Sequence, residues 1–234
     1  MQFEKPLRPA RLIRRYKRFL ADVAFEDTGE EIVAHCPNPG AMLGLADPGM
    51  RVWLRPAKNP KAKLAYAWEL TELPSGLVGI DTGRPNGIAE AAIQAGRIPA
   101  LAGYAELRRE VKYGVNSRID ILLTDPLKRD CYVEIKNVHL EREGRAEFPD
   151  SKTARGAKHL DELGAMVRIG ARAVMLYIVQ RQDCGSFRLA DDIDPAYGAA
   201  YRTARAAGVE TLCYDCAVTM QGIELRQPVP LDIA

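Results

Sequence analysis

The sequence predicts an α+β chain in two parts. A first third of short strands closes as a small barrel, and the remainder forms a mixed sheet with helices packed on it. Three observations predict this. Breaker clusters at Pro37-Asn38-Pro39-Gly40, Asp47-Pro48-Gly49, Asn59-Pro60 and Pro74-Ser75-Gly76 separate five short strand candidates. After Gly83-Arg84-Pro85 the pattern changes to α-β-β-β-α-β-α-β, the order of a sheet covered by helices. At 234 residues, 47% hydrophobic and 27% charged, the chain has an ordinary globular composition, which excludes disorder or coiled coil as its main plan. The boundary falls between residues 1–83 and 84–234.

The elements follow in order. Leu12, Tyr16, Phe19, Leu20 and Val23 match a helical stripe, yet Phe19, Ala21, Val23 and Phe25 alternate. The turn signal Asp27-Thr28-Gly29-Glu30 leads into Ile32–Cys36, and this hairpin logic favours strands. Met50–Arg55, Leu64–Thr71 and Leu77–Asp81 complete the five. In the second part Asn86–Gln94 reads as a helix with Gly96 beyond its end. Strands are expected at Glu106–Tyr113, Arg118–Leu123 and Cys131–Val138. Leu160, Leu163 and Val167 mark a helix over Ala154–Ile169. A buried strand at Arg172–Gln180, a helix from Asp194-Pro195 to Gly208 and a strand at Val209–Asp215 end the pattern.

No apolar run approaches the length of a membrane span, and the first residues lack a secretory signal. Five scattered cysteines do not form a disulfide framework. A cytoplasmic protein without membrane attachment is expected. Cys213-Tyr214-Asp215-Cys216 has no second pair, and an offset of three along a strand sends the sulfurs to opposite faces, so buried structural cysteines are expected. No P-loop, G-x-G-x-x-G or G-x-S-x-G is present.

The net charge of +2 hides an uneven distribution. Residues 1–18 hold seven basic side chains against Glu4, and residues 51–63 hold five with no acid. Such clusters suit phosphates. The expected nucleic-acid contacts are Arg14, Arg15, Lys17, Arg18, Arg51, Lys58, Lys61 and Lys63, with Trp53 as a ring on which a base could stack. Basic and aromatic residues on five short strands suggest the oligonucleotide-binding (OB) type of barrel.

Period two puts Glu134 and Lys136 on one face of their strand, with Val133 and Ile135 on the other. On the preceding strand Ile119, Ile121 and Leu123 share a face, leaving Asp120 opposite them. Adjacent antiparallel strands would then bring Asp120 beside Glu134 and Lys136. Two hard carboxylates suit Mg²⁺ or Mn²⁺, and a neighbouring lysine can orient an attacking water and offset charge on a phosphate. This constellation resembles the PD-(D/E)xK nuclease core, with Ile119 where a proline is usual. The resemblance implies a further acid on the first helix, for which Glu90 is the candidate. It also implies phosphate contacts from Arg155 and Lys158 at the start of the helix after the catalytic strand. Gln180 is placed near the same site.

Nearly the whole chain resembles the sugar fermentation stimulation proteins. The resemblance is carried by Arg14-Arg15-Tyr16-Lys17-Arg18-Phe19, His35-Cys36-Pro37-Asn38 with Gly40, and Trp68-Glu69-Leu70. Further along it is carried by Glu110-Val111-Lys112-Tyr113-Gly114, Ser117-Arg118-Ile119-Asp120, Glu134-Ile135-Lys136-Asn137-Val138, Phe148-Pro149-Asp150, and Thr153 with Arg155-Gly156 and Lys158-His159-Leu160. Pro39 and His139 stand where the family usually has threonine. The family resembles an OB barrel followed by a restriction-endonuclease-like domain. It implies nucleic-acid binding, with DNA ahead of RNA, and divalent-metal nuclease activity. Asn38, within the second stretch, joins the expected nucleic-acid contacts. The alternative is a non-catalytic DNA-binding regulator of sugar metabolism genes that uses the nuclease fold as a scaffold.

Overall fold

The computed structural model describes residues 1–59, 61–114 and 117–233. The first part is a barrel built from β1 (Arg8–Tyr16), β2 (Leu20–Phe25), β3 (Glu31–His35), β4 (Arg51–Pro56) and β5 (Tyr66–Leu73). Strand β1 pairs antiparallel with β2 and β4, β2 with β3, and β4 with β5. A parallel contact between His35 of β3 and Ala67 of β5 closes the ring. Closure leaves the barrel without free edges. The five strands of the ring are not the five read from sequence. β1 takes a place in it, while β6 (Gly76–Gly79) pairs with β5 outside the closure.

β1 was hidden because it alternates only at its start. Ala10 and Leu12 are buried, and then a bulge between Leu12 and Arg14 shifts the register, so the later residues match no single period. Ala21, Val23 and Phe25 do alternate inward and pack on Val52, Leu54 and Trp68 in the barrel core. Phe19, which the same alternation would send inward, lies outside β2 and is 46% exposed.

The second part follows the expected order with four added strands. α1 (Pro85–Gln94), β7 (Glu106–Tyr113), β8 (Ser117–Thr124), β9 (Cys131–Val138), α2 (Ala154–Arg168), β12 (Arg172–Val179), α3 (Pro195–Ala206) and β14 (Glu210–Val218) match the sequence reading to within a few residues. β15 (Ile223–Pro228) completes a sheet of order β15-β14-β12-β9-β8-β7. β10 (Leu140–Arg142), β11 (Arg145–Phe148) and β13 (Ser186–Leu189) form a small separate sheet. These short pieces carry little apolar pattern. Their pairing encloses Glu147, which is 1% exposed between Arg142 and Arg188.

Alternate residues of β12 serve opposite layers. Val174, Leu176 and Ile178 pack with Ile88 and Ala92 of α1, whereas Met175, Tyr177 and Val179 pack with Leu160 and Leu163 of α2 and Tyr197 and Tyr201 of α3. Thr153 and Asp194 cap α2 and α3 through their side-chain oxygens. Cys213 and Cys216 are buried in opposite layers, as the offset of three requires. All five cysteines are free and buried. Among the described residues, no helix is long and apolar enough to cross a membrane.

The two parts meet through specific contacts. The Gly79 amide donates to the Gln180 carbonyl at 2.8 Å, and the Gln180 side-chain amide donates to the Asp81 carbonyl at 3.0 Å. The Met42 amide donates to Asp150 at 3.2 Å. Gly40 lies so close to Asp150 that a Cβ would sit 2.2 Å from its carboxylate, so no larger residue fits there without a shift. Glu69 of the barrel, fully buried, is held by both Arg55 and Arg84. The main chain of residues 1–3 pairs with residues 221–223 of the second part.

Candidate active site in the cleft between the two parts

The register Ile121↔Val133 sets Asp120 across from Glu134. The ladder between β8 and β9 ends at that point. The Ile135 amide, freed from the ladder, donates to Asp120 Oδ2 at 2.7 Å. The side chain thereby replaces a backbone partner, and the diverging strands leave room for a site. Asp120 Oδ1 accepts from Asn86 of α1 at 2.8 Å. On the opposite strand β7, Glu110 has a left-handed backbone, with φ 54°. The pleat is disturbed at this level. Ile119 packs with the α2 side of the sheet while Ile121 and Leu123 pack with the α1 side, so the three do not share one face as expected.

Glu134 and Lys136 lie together on the face toward α2, with Lys136 Nζ donating to Glu134 Oε1 at 2.8 Å. Glu134 is 2% exposed, and its Oε1 also meets His159 Nδ1 of α2. Arg155 Nε donates to His159 Nε2 at 3.3 Å. His159 thus bridges Glu134 and Arg155, and its Nδ1 also lies 3.3 Å from Lys136 Nζ. Glu134 Oε2 is buried with no hydrogen-bond partner among the described residues.

The two carboxyls differ in charge balance. Burial pushes Asp120 above its ordinary range, and the Glu134 carboxylate adds to the rise. Burial pushes Glu134 upward too, but the His159 hydrogen bond and the Lys136 ammonium outweigh it and hold that carboxyl low.

These groups line a cleft of about 530 Å³ whose other wall is the barrel. The barrel contributes Arg18, Asn38, Pro39 and Gly40, and the second part adds Arg118, His139, Asp150 and Arg155. Of the expected nucleic-acid contacts, the structure brings Arg18, Asn38 and Arg155 to this cleft. Asn38 is nevertheless fully buried, donating to the Ile80 carbonyl and accepting from the Gly40 amide. Arg15 is spent on the same loop, donating to the Asn38 and Gly40 carbonyls at 2.8 Å.

Other expected residues lie elsewhere. Glu90 pairs with Arg109 and does not line the cleft; Asn86, one turn earlier on α1, is the residue that reaches Asp120. Arg14 pairs with Asp22, Arg51 with Glu26 and Glu72, and Lys58 with Glu4. Trp53 donates to Glu72 at 2.9 Å, lies under the Arg51 guanidinium and packs against the core, so its faces are not free for a base. Lys17, Lys61 and Lys63 are exposed, with Pro60 of the second basic run outside the described residues. Lys158 is exposed, with its Nζ 3.7 Å from the buried Glu162 carboxylate, and does not line the cleft. Asn86, Glu110, His139 and Asp150 had no assigned role from sequence. Glu110 and Asp150 stood inside quoted motifs, but nothing in their local pattern aims them at a cleft.

Among the described residues, no group of three or more His, Cys, Asp or Glu side chains is placed to enclose a metal ion. Mg²⁺ needs less, since it is commonly held by one or two carboxylates with waters and substrate phosphate completing the shell. Asp120 together with the partnerless Glu134 Oε2 fits that requirement.

A closed OB barrel joined across a carboxylate–lysine cleft to an α/β domain is the class of protein that this fold and site define. The family models for the SfsA N-terminal OB domain and the sugar fermentation stimulation protein RE domain match residues 13–80 and 83–222. The chain belongs to the sugar fermentation stimulation protein family. It is 58% identical to a sugar fermentation stimulation protein homolog of Dinoroseobacter shibae, covering 100% of this chain and 97% of that one. A homolog from Paramagnetospirillum magneticum is 55% identical, covering 100% and 98%. Pyrococcus furiosus SfsA, whose structure is a complex with Ca²⁺, superposes with a TM-score of 0.88 at 27% identity, covering 100% of this chain and 98% of that one.

Proposed function

We propose that this protein is a divalent-metal-dependent nuclease that binds nucleic acid, DNA ahead of RNA, and hydrolyses phosphodiester bonds. The observation that carries the reading is Asp120, Glu134 and Lys136 lining one cleft, with Glu134 Oε2 buried and without a partner among the described residues. Asp120 and Glu134 would hold Mg²⁺ or Mn²⁺, which when bound supplies positive charge against the phosphate. The Ca²⁺ complex of the Pyrococcus furiosus relative supports a divalent ion at this fold.

The chain's own groups divide the remaining work. Lys136 Nζ orients the attacking water and offsets charge growing on the phosphate oxygens. Asn86 and the Ile135 amide fix the Asp120 carboxylate, and His159 with Arg155 fixes Glu134. Arg18 and Arg118 supply positive charge at the cleft walls. Five free, buried cysteines accord with action in the reducing cytoplasm.

The test is single-turnover cleavage of labelled DNA and RNA, single- and double-stranded, with Mg²⁺, Mn²⁺ or EDTA. Cleavage by native protein that needs the ion and fails in Lys136→Ala supports the reading. Tight binding with no cleavage of any substrate by either protein establishes the scaffold role instead.

A further inference from the structure

The turn between β1 and β2 carries features that barrel closure does not require. Lys17 and Arg18 both have left-handed backbone, with φ 47° and 62°. The three-residue connection Lys17-Arg18-Phe19 thus holds a lysine and an arginine in a backbone region that favours glycine or asparagine, and both are strained. Such strain persists where surrounding structure imposes it and concentrates at functional sites. Here Arg15 Nε donates to the Arg18 carbonyl at 3.1 Å and anchors the turn. Among the described residues, neither the Lys17 nor the Arg18 side chain enters an ion pair, unlike Arg8, Arg11, Arg14 and Arg51 nearby. Arg18 lines the cleft.

The next residue is Phe19, 46% exposed. Its ring lies beside that of His35, centroids 6.3 Å apart and planes 20° from parallel. The Cys36 amide donates to the Phe19 carbonyl at 2.9 Å, and His35 Nδ1 lies 3.2 Å from the same oxygen, so the pair is held in place. His35 precedes by three residues Asn38, which lines the cleft. A partly bare pair of flat rings is thus tied to the chain segments that bring Arg18 and Asn38 to the cleft, Phe19 following Arg18 directly.

We propose that Phe19 and His35 form a stacking platform for an unpaired nucleobase, with Arg18 on the adjoining phosphate directing the strand toward Lys136. The inference rests on the nuclease reading and names its substrate as single-stranded nucleic acid. In a duplex both faces of each base are covered by their neighbours, so a protein ring reaches a base face only where the strand is unpaired. The depth of the site points the same way. Glu134 is 2% exposed at the base of a cleft of about 530 Å³, which a single strand can enter more readily than a rigid duplex.

The experiment is binding of labelled oligo-dT, oligo-rU and a DNA duplex of equal length to full-length protein in EDTA. Phe19→Ala should weaken single-strand binding by roughly fivefold to a hundredfold and leave duplex binding unchanged. Phe19→Leu keeps apolar volume without the ring and should show the same loss at unchanged melting temperature. Arg18→Ala should lower the salt slope for single strands by about 0.7. Phe19→Trp should keep affinity and gain fluorescence quenching on binding beyond that of native protein, a signal that a purely structural role would not produce. Native single-strand affinity in Phe19→Ala, equal losses on strand and duplex, or no added quenching would overturn the platform. EDTA separates this test from hydrolysis. A strand bound through Phe19 but never cut overturns only the nuclease reading; a strand cut by way of Lys136 but indifferent to Phe19 overturns only the platform.

Discussion

The outer wall of the barrel and the floor of the cleft are both rich in charge, and the fold treats them in opposite ways. On the barrel, Arg8, Arg11, Arg14 and Arg51 are matched with Asp22 on β2 and with Glu26 and Asp27 in the turn that follows it, in pairs open to solvent. In the cleft, Glu134 is withdrawn from water beside a half-buried Asp120, and one Glu134 oxygen has no partner among the described residues. Exposed pairs contribute little and attract little, whereas buried, incompletely matched groups strongly favour whatever ligand completes them. Local abundance of basic residues in the sequence therefore did not reveal which of them are already paired with acids in the fold.

The largest expected effect tests burial itself. Glu69 is fully buried between Arg55 and Arg84, so Glu69→Ala leaves two guanidiniums at the junction of the two parts with Asp81, 3.4 Å from each, as their one remaining acidic partner among the described residues. Denaturant unfolding should show a loss of about 3 to 5 kcal/mol. An unchanged midpoint would mean that the junction is wetter than its burial indicates, and the contrast with the exposed barrel pairs would collapse.

Next in size is the chemistry. Lys136→Ala should lower single-turnover cleavage on the order of a hundred- to a thousandfold while nucleic-acid binding persists. Glu134→Gln should abolish Mn²⁺ binding in isothermal titration, since it keeps the shape but removes the charge that the ion requires. Equal Mn²⁺ affinity in the variant would move the ligands away from β9.

A third experiment sets the two regions directly against each other. Arg18→Glu should reduce affinity and flatten the salt dependence, because this side chain faces the cleft without an acidic partner among the described residues. Arg14→Glu should leave the slope nearly unchanged, since Arg14 is already paired with Asp22. Equal effects would restore the view that the whole basic stretch binds phosphate.

The smallest effect concerns pH. Burial pushes Asp183 upward, but the hydrogen bonds from Arg181 and Ser75 outweigh it and hold the carboxyl at about 2, below its ordinary 3.8. A depressed carboxyl stabilises the fold above pH 3.8, and that contribution is lost as pH falls toward 2. Melting temperature measured over this window should fall less steeply in Asp183→Asn than in native protein. Identical slopes would show that the pair is screened by water like those on the barrel.

Much of the second part was legible because its elements are long and periodic. β7 and β9 have the expected bounds, and period two on β9 places Glu134 beside Lys136 as read. The four added strands were not legible. β10, β11 and β13 are short and charged, and only mutual pairing around Glu147 gives them a reason to extend. β15 lies at the edge of the large sheet, with exposed Arg226 and Gln227 breaking its alternation. In the site, Asn86 took the place expected for Glu90 because helix phase, not residue chemistry, decides which side chain of α1 faces Asp120. Trp53 and Phe19 differ from the sequence expectation in exposure for a similar reason. Trp53 lies on a strand whose neighbours cover it, while Phe19 lies at a turn where nothing does.

By itself the sequence determined what depends on near neighbours along the chain: the helices and long strands, the two-part order, and the Glu134–Lys136 pair two residues apart on one strand. Those follow from backbone sterics and side-chain period, which act over a few residues. The tertiary structure alone decided which charges are neutralised, which aromatic ring stays bare, and how Asp120, Arg18 and His159 come to share a cleft. Those outcomes depend on contacts between residues far apart in sequence, and a linear pattern of charge or hydrophobicity does not encode the distance at which two side chains finally meet.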